Sequence, residues 1–153
     1  MVVELLREKR LTLSVAESCT GGLLANRITN VPGSSDVFNM GVVSYSNQSK
    51  SKLLGVPEDM IIEHGAVSEE VAKAMAEGIR RVSGSDVSVG ITGIAGPAGG
   101  TPTKPVGLVY MSLCIDGRTQ ITKNQFPGGR EDVKQRSTQV ALNMIRLALL
   151  TRT

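Results

Sequence analysis

Strand-like and helix-like segments alternate along the chain up to residue 92, and this alternation limits the folds it can adopt. The later part differs, because two strand-like segments, 106–115 and 118–126, follow each other directly. Asp116-Gly117 between them is typical of a tight hairpin turn. A long helix is predicted over 130–150. Early alternation followed by a hairpin predicts an α/β sandwich with a mixed sheet.

Apolar periodicity and capping residues set the other boundaries. Ser68 is a favoured N-cap, and Gly84 a favoured stop, for the clearest helix. Gly21 and Gly22 fall in the first predicted turn of another helix, where each glycine costs roughly 1 kcal/mol relative to alanine. That cost suggests that something approaches the backbone closely there. The helices predicted before residue 100 are 1–10, 20–30, 50–55, 57–65 and 68–84, and the strands are 11–17, 37–47 and 85–92.

The composition is that of an ordinary globular protein, and it argues against several classes of function. The 153 residues suit one domain, 1–153, with 41% hydrophobic and 20% charged residues. The net charge is only +3, and the 17 Lys and Arg are scattered, which argues against a nucleic-acid surface. Aromatic residues make up 3% of the chain, too few for a base-stacking platform.

Export and metal binding are disfavoured as well. No apolar run approaches the ~20 residues of a membrane helix, and the charged N-terminus lacks a signal-peptide core. Cys19 and Cys114 lack metal-ligand spacing, and His64, interpreted as structural, is the one histidine. We therefore expect a cytoplasmic protein with reduced thiols and with no metal, membrane or nucleic-acid partner.

The first candidate site is "VAESCTGGLLANRI", residues 15–28, where a predicted strand gives way to a helix. Ser18 would lie at the carboxyl edge of the sheet, where α/β proteins bind ligands. The backbone N–H groups after it, from Thr20 to Gly22, suit an anion. Three interpretations of Ser18 stay open: a nucleophile, a phosphate ligand or a helix cap. Cys19 is a rival nucleophile, but a buried inert thiol is more common.

The second candidate is "SYSNQSK", residues 44–50. A tyrosine or lysine can activate a serine where histidine is absent, so Tyr45 and Lys50 are candidate bases. From this stretch alone, a rim aromatic residue and a solvated lysine explain the pattern better.

The third candidate is the loop "GITGIAGPAGGTPTKP", residues 90–105. A long glycine-rich loop in a compact domain is usually functional and could wrap a phosphate. It matches neither a Walker A loop nor the dinucleotide fingerprint. Thr92 could point its hydroxyl into the same site. Arg130 is the first residue of the last predicted helix, where a positive charge is slightly unfavourable. Two interpretations of this arginine stay open: it binds an anionic ligand, or it is solvated.

Six stretches occur in a fixed order along the chain: AESCTGG, SYSNQSK, EHGAVSEEVA, GITGIAGPAGG, KPVGLVY and FPGGREDVK. In this order they resemble the C-terminal domain of the CinA (competence-damage-inducible) family, which includes nicotinamide mononucleotide deamidases. The resemblance runs from about residue 5 to residue 150. Larger relatives add an N-terminal molybdopterin-binding-like domain, for which this chain is too short.

The resemblance implies a three-layer α/β/α sandwich with a mixed, mainly parallel sheet, and a homodimer. It also implies hydrolysis of nicotinamide mononucleotide to nicotinate mononucleotide and ammonia, in pyridine nucleotide recycling, without a metal or organic cofactor. Residues at the positions of the family's site residues are Ser18, Tyr45, Lys50, Thr92 and Arg130.

Chemical roles for these residues follow from their functional groups. Ser18 is the candidate nucleophile, and Lys50 or Tyr45 is its base, a lysine base requiring a depressed pKa. Thr92 and the N–H groups after Ser18 are candidates to hold the oxyanion. The residues predicted to bind the substrate or its phosphate are Thr20, Gly21, Gly22, Gly93, Gly96, Gly99, Gly100 and Arg130.

Two other classes of function stay open at this point. One is a nucleotide-binding module that has lost catalysis. The other is an interaction module for nucleic acid or protein, suggested by the competence-related family name and the pI of about 9.1. Release of ammonia separates an enzyme from the first class, and a salt-dependent DNA titration separates it from the second.

Overall fold

The computed structural model describes residues 1–152, which form six α-helices and five β-strands. The helices are α1 (Val2–Lys9), α2 (Leu23–Thr29), α3 (Asn47–Leu54), α4 (Glu58–His64), α5 (Glu69–Ser83) and α6 (Arg130–Thr151). The strands are β1 (Leu13–Glu17), β2 (Phe38–Val43), β3 (Val87–Gly93), β4 (Leu108–Ile115) and β5 (Arg118–Gln125). A short 3-10 helix, Ser34–Asp36, precedes β2.

The five strands form one mixed sheet in the order β2-β1-β3-β4-β5. β1 pairs in parallel with both β2 and β3. β4 runs antiparallel to β3 and to β5, so every strand except β4 points the same way. The predicted mixed sheet is confirmed. The hairpin is confirmed too, since Asp116 and Gly117 adopt φ values of 51° and 73° between paired Ile115 and Arg118, the left-handed conformation that such turns require.

Helices cover both faces of the sheet and complete the three predicted layers. α1, α2 and α6 pack on one face, where Leu6, Leu24 and Ile145 are fully buried against the strands. α3, α4 and α5 pack on the other face around Leu54 and Met75. The central strands are therefore buried on both sides: every residue of β1 is buried, and so is every residue of β3 except the last, Gly93.

The connections place a crevice at the carboxyl end of β1. From β1 the chain passes through α2 to β2 on one side, and it returns through α3, α4 and α5 to β3 on the other side. Parallel strands whose connections diverge in this way leave an opening between them, which is where ligands of α/β sheets bind. Ser18, Ser44 and Ile94 follow directly after β1, β2 and β3.

Two predicted boundaries differ from the structure near this crevice. The helix predicted over 20–30 begins only at Leu23, because Gly21 and Gly22 have φ values of 59° and 98° and form a turn before it. The strand predicted over 37–47 ends at Val43. Ser46 then caps α3, since its side-chain oxygen accepts a hydrogen bond from the backbone N–H of Ser49.

In the described part of the chain, no helix has both the length and the apolar character needed to cross a membrane.

Candidate active site

A pocket of about 200 Å³ lies at the carboxyl ends of β1, β2 and β3 and beside the start of α6. It brings together residues that are far apart in the sequence. Those named as candidates beforehand are Ser18, the rival nucleophile Cys19, Tyr45, Lys50, Thr92, Gly93 and Arg130. The remaining predicted residues, in the turn after Ser18 and in the loop after β3, do not line it.

Lys50 and Ser18 form the centre of this pocket. Lys50 Nζ lies 3.0 Å from Ser18 Oγ, 3.0 Å from the Ser44 carbonyl oxygen and 3.2 Å from the Tyr45 carbonyl oxygen. A carbonyl oxygen only accepts hydrogen bonds. In the neutral amine the two N–H groups therefore point to the two carbonyls, and the lone pair faces the Ser18 hydroxyl. In that neutral form, Lys50 presents an acceptor to the proton of Ser18.

Burial changes the acidity of this lysine. The Lys50 side chain is 1% exposed, and loss of hydration lowers its pKa from the ordinary 10.5, because the interior disfavours the charged form. The depressed pKa that a lysine base requires is therefore present.

Ser18 lies in the turn between β1 and α2, which the side chain of Glu17 stabilises. The N-cap of α2 is Gly22, so the interpretation of Ser18 as a helix cap is wrong. The buried Glu17 carboxylate satisfies the start of α2 instead, because Oε1 accepts from the Leu24 N–H at 2.8 Å and Oε2 from the Ala25 N–H at 3.0 Å. Sequence reasoning missed Glu17, although a carboxylate directly before a Ser-Cys-Thr turn was a usable signal.

Glu17 also corrects the predicted anion site at this helix start. Its carboxylate occupies the N–H groups of α2, and the Thr20 hydroxyl donates to its Oε1 at 2.6 Å. Thr20 is consequently turned away from the pocket. The backbone N–H groups of Cys19, Thr20 and Gly22 donate no hydrogen bond within residues 1–152. Of these three residues, Cys19 lines the pocket.

Thr92 lines the pocket, but its predicted role as an oxyanion donor is contradicted. Its hydroxyl donates to the Ala66 carbonyl oxygen at 2.8 Å. A hydroxyl has one proton to donate, so Thr92 holds the segment after α4 against β3 instead.

Tyr45 is 59% exposed, and its hydroxyl accepts from Arg130 Nη2 at 2.7 Å. As a base for Ser18, Tyr45 is therefore less well placed than Lys50.

Arg130 reaches the pocket from the start of α6. Its Nη1 donates to the Gly96 carbonyl oxygen at 2.7 Å, so Gly96 positions the guanidinium rather than lining the pocket. Gly99 and Gly100, predicted to bind phosphate, lie in the exposed part of the loop after β3, where they pack near Ile94 and Val106. The structure therefore does not bring these two glycines to the site.

Cys19 lines the pocket next to Ser18, whereas His64 does not. Burial raises the pKa of the Cys19 thiol to about 12, so it stays protonated and is a weak nucleophile. His64 lies outside the pocket lining, with Nδ1 3.6 Å from Glu70 and Nε2 3.7 Å from Glu63. Among residues 1–152, His, Cys, Asp and Glu side chains form no group of three or more that could hold a metal ion.

Comparison with known proteins gives the family. The model of the CinA C-terminal domain matches residues 1–149. A CinA-like protein of Koribacter versatilis is 58% identical over 139 residues, which are 91% of this chain and 34% of that protein. A CinA-like protein of Kosmotoga olearia is 52% identical over 150 residues, 98% of this chain and 36% of that protein. The chain spans about a third of the length of these curated relatives.

Solved structures agree with this match over nearly the whole chain. The competence/damage inducible protein CihA of Agrobacterium tumefaciens superposes with a TM-score of 0.91 at 37% identity, covering 98% of this chain and 96% of that one. A competence-damaged protein (CinA) superfamily protein of Klebsiella pneumoniae gives 0.95 at 30% identity, covering 99% and 94%. The chain belongs to the CinA C-terminal domain family.

Proposed function

We propose that this protein is an amidohydrolase that converts nicotinamide mononucleotide and water to nicotinate mononucleotide and ammonia. The observation that carries the proposal is the buried contact of 3.0 Å between Lys50 Nζ and Ser18 Oγ. A serine beside a buried lysine whose pKa is lowered is a nucleophile beside a candidate base, and an unactivated amide needs such a pair. The resemblance to a family that includes nicotinamide mononucleotide deamidases supports the choice of substrate.

In the first step Ser18 Oγ attacks the carboxamide carbon, and its proton passes to Lys50 Nζ. The carbonyl oxygen becomes an oxyanion, for which the free N–H groups of Cys19 and Thr20 are the available donors. When the C–N bond breaks, Lys50 returns the proton to the leaving nitrogen. Ammonia departs, and an ester joins Ser18 to the nicotinoyl group.

In the second step water attacks the ester carbon, with Lys50 taking the proton of the water. The bond to Ser18 Oγ breaks, the proton returns to that oxygen, and the carboxylic acid leaves. Lys50 can repeat this cycle because the carbonyls of Ser44 and Tyr45 hold its nitrogen in place throughout. Such fixed positioning of base and nucleophile is a large part of the rate that an enzyme supplies.

The experiment that tests the proposal is an ammonia-release assay on nicotinamide mononucleotide, with nicotinamide and NAD as control substrates. We expect release from the mononucleotide well above that from either control. Binding of the mononucleotide without release of ammonia would identify a nucleotide-binding module instead. Homo-oligomeric assembly and a cytoplasmic location stay predictions, and light scattering on the purified protein tests the first.

A further inference from the structure

A second cation, Lys134, lies beside the turn that carries Ser18. A Cβ atom placed on Gly21 would lie 3.6 Å from Lys134 Nζ. Lys134 follows Arg130 by four residues on α6, so the two side chains share one face of the helix and are about 6 Å apart along its axis. Gly21, at a φ of 59°, presents bare backbone to that face, whereas Gly22 faces Val43.

Within residues 1–152, neither Lys134 nor Arg130 forms an ion pair with a carboxylate. Lys134 is half-buried, and the ion pairs and side-chain hydrogen bonds formed within residues 1–152 involve other side chains. Arg130 donates only to uncharged oxygens, those of Gly96 and Tyr45. Asp132 lies between them in the sequence, but its carboxylate accepts from the Gly129 N–H. Two neighbouring positive charges without a carboxylate partner favour an anionic ligand.

The size of the pocket indicates which part of such a ligand can enter it. Its volume of about 200 Å³ is below the roughly 300–1,000 Å³ of sites that enclose a whole small molecule. A planar ring with a carboxamide can reach Ser18, while the rest of a nucleotide must pass over the rim. Arg130 stands at that rim, and Lys134 is one helical turn further on.

We propose that Lys134 is a specificity-determining residue that, with Arg130 and the Gly21–Gly22 turn, holds the phosphate monoester of the substrate. This inference rests on the proposed function. The ammonium of Lys134 and the guanidinium of Arg130 donate to the phosphate oxygens, and Gly21, which has no side chain, leaves room for a phosphate beside the backbone. Of the residues predicted to bind the phosphate, this assignment keeps Gly21, Gly22 and Arg130, leaves out Gly99 and Gly100 in the loop after β3, and adds Lys134.

The kinetic test compares nicotinamide mononucleotide with its riboside, which lacks the phosphate. Lys134→Met should lower kcat/KM for the nucleotide about tenfold or more relative to the riboside, mainly through KM, since each lost charge-assisted contact is worth about this much. Lys134→Arg should restore the preference. The control, Arg136→Met, removes an exposed charge from the same helix and should change neither substrate. Equal effects of Lys134→Met on both substrates, or no effect, would overturn the inference.

A binding measurement separates this inference from the proposed function. Inorganic phosphate at millimolar concentration should shift the NMR amide signals of Gly21 and Gly22 in the wild type and in Arg136→Met, and not in Lys134→Met. Unchanged signals in the wild type would reject the phosphate subsite even if the enzyme releases ammonia. Shifts that depend on Lys134, together with no release of ammonia, would keep the subsite and reject the deamidase.

Discussion

At the scale of single residues, the contact between Ser18 and Lys50 decides what chemistry the pocket can perform. Ser18→Ala removes the attacking oxygen and leaves every other candidate in place. We expect an unchanged melting curve, retained nucleotide binding and a loss of kcat by orders of magnitude, because no other group can form the ester.

Cys19→Ala is the matched control for this substitution. The thiol is buried and its pKa is raised to about 12, so the variant should stay active. A variant at Ser18 that raises only KM would identify Ser18 as a phosphate ligand, and an active Ser18→Ala beside an inactive Cys19→Ala would transfer the role to the thiol.

Lys50 gives the activity a pH dependence of known sign. Burial lowers its pKa from 10.5, so kcat/KM of the wild type should rise with pH and level off below 10.5. Lys50→Arg should be inactive over the whole range because a guanidinium stays protonated, while Lys52→Arg on the exposed side of α3 should behave as the wild type. A profile that rises only near the ordinary lysine pKa would remove Lys50 as the base.

The same shift links Lys50 to stability. Between its folded pKa and 10.5, the unfolded chain binds a proton at Lys50 that the folded protein does not. The free energy of unfolding therefore gains a contribution that increases with pH across this window. Below the folded pKa the cost of burying the charge is fully present, and above 10.5 it is absent.

At the scale of secondary-structure elements, the turn between β1 and α2 depends on one carboxylate. Glu17 accepts the hydrogen bonds that start α2, and Ser18 follows it directly. The same side chain thus stabilises the N-terminus of α2 and stands directly before Ser18, the candidate nucleophile.

Glu17→Gln should therefore weaken both the fold and catalysis. The amide group can offer only one oxygen to donors that now use two, and a buried hydrogen bond left unmade costs about 1–3 kcal/mol. Denaturant unfolding should show this loss together with a lower kcat. Glu69→Gln, at an exposed position in the first turn of α5, is the control and should cost only a few tenths of a kcal/mol. Equal stability of the two variants would contradict the role given to Glu17.

At the scale of the whole molecule, three strand ends and the start of α6 meet around a pocket built from serine, lysine and backbone groups. Activity should survive dialysis against EDTA, because the chain's one histidine, His64, pairs with surface carboxylates away from the pocket. The assay is ammonia release before and after chelation. Loss of activity that zinc or magnesium restores would replace the serine mechanism by a metal-assisted one.

Much of the fold could be predicted from the sequence because its signals are local. Ser68 and Gly84 mark the ends of α5 through capping, and Asp116-Gly117 marks the hairpin through its left-handed backbone. The prediction of a helix start was wrong where two glycines form a turn with a left-handed backbone. Gly21 and Gly22 were assigned to a helix that begins only after them, because periodicity does not report the φ angle.

The order of motifs in the sequence determined the family, the three layers and the candidate residues. Only the tertiary structure decided how those residues work together. Lys50 and Ser18 are 32 residues apart and Arg130 and Tyr45 are 85 apart, so their contacts depend on how the strands are ordered in the sheet. The hydrogen bond from the Thr92 hydroxyl to the Ala66 carbonyl oxygen and the position of Lys134 beside Gly21 likewise depend on the tertiary structure. Capping, turns and periodicity act between near neighbours in the chain, whereas burial, pKa and hydrogen-bond partners are set by side chains that packing brings together.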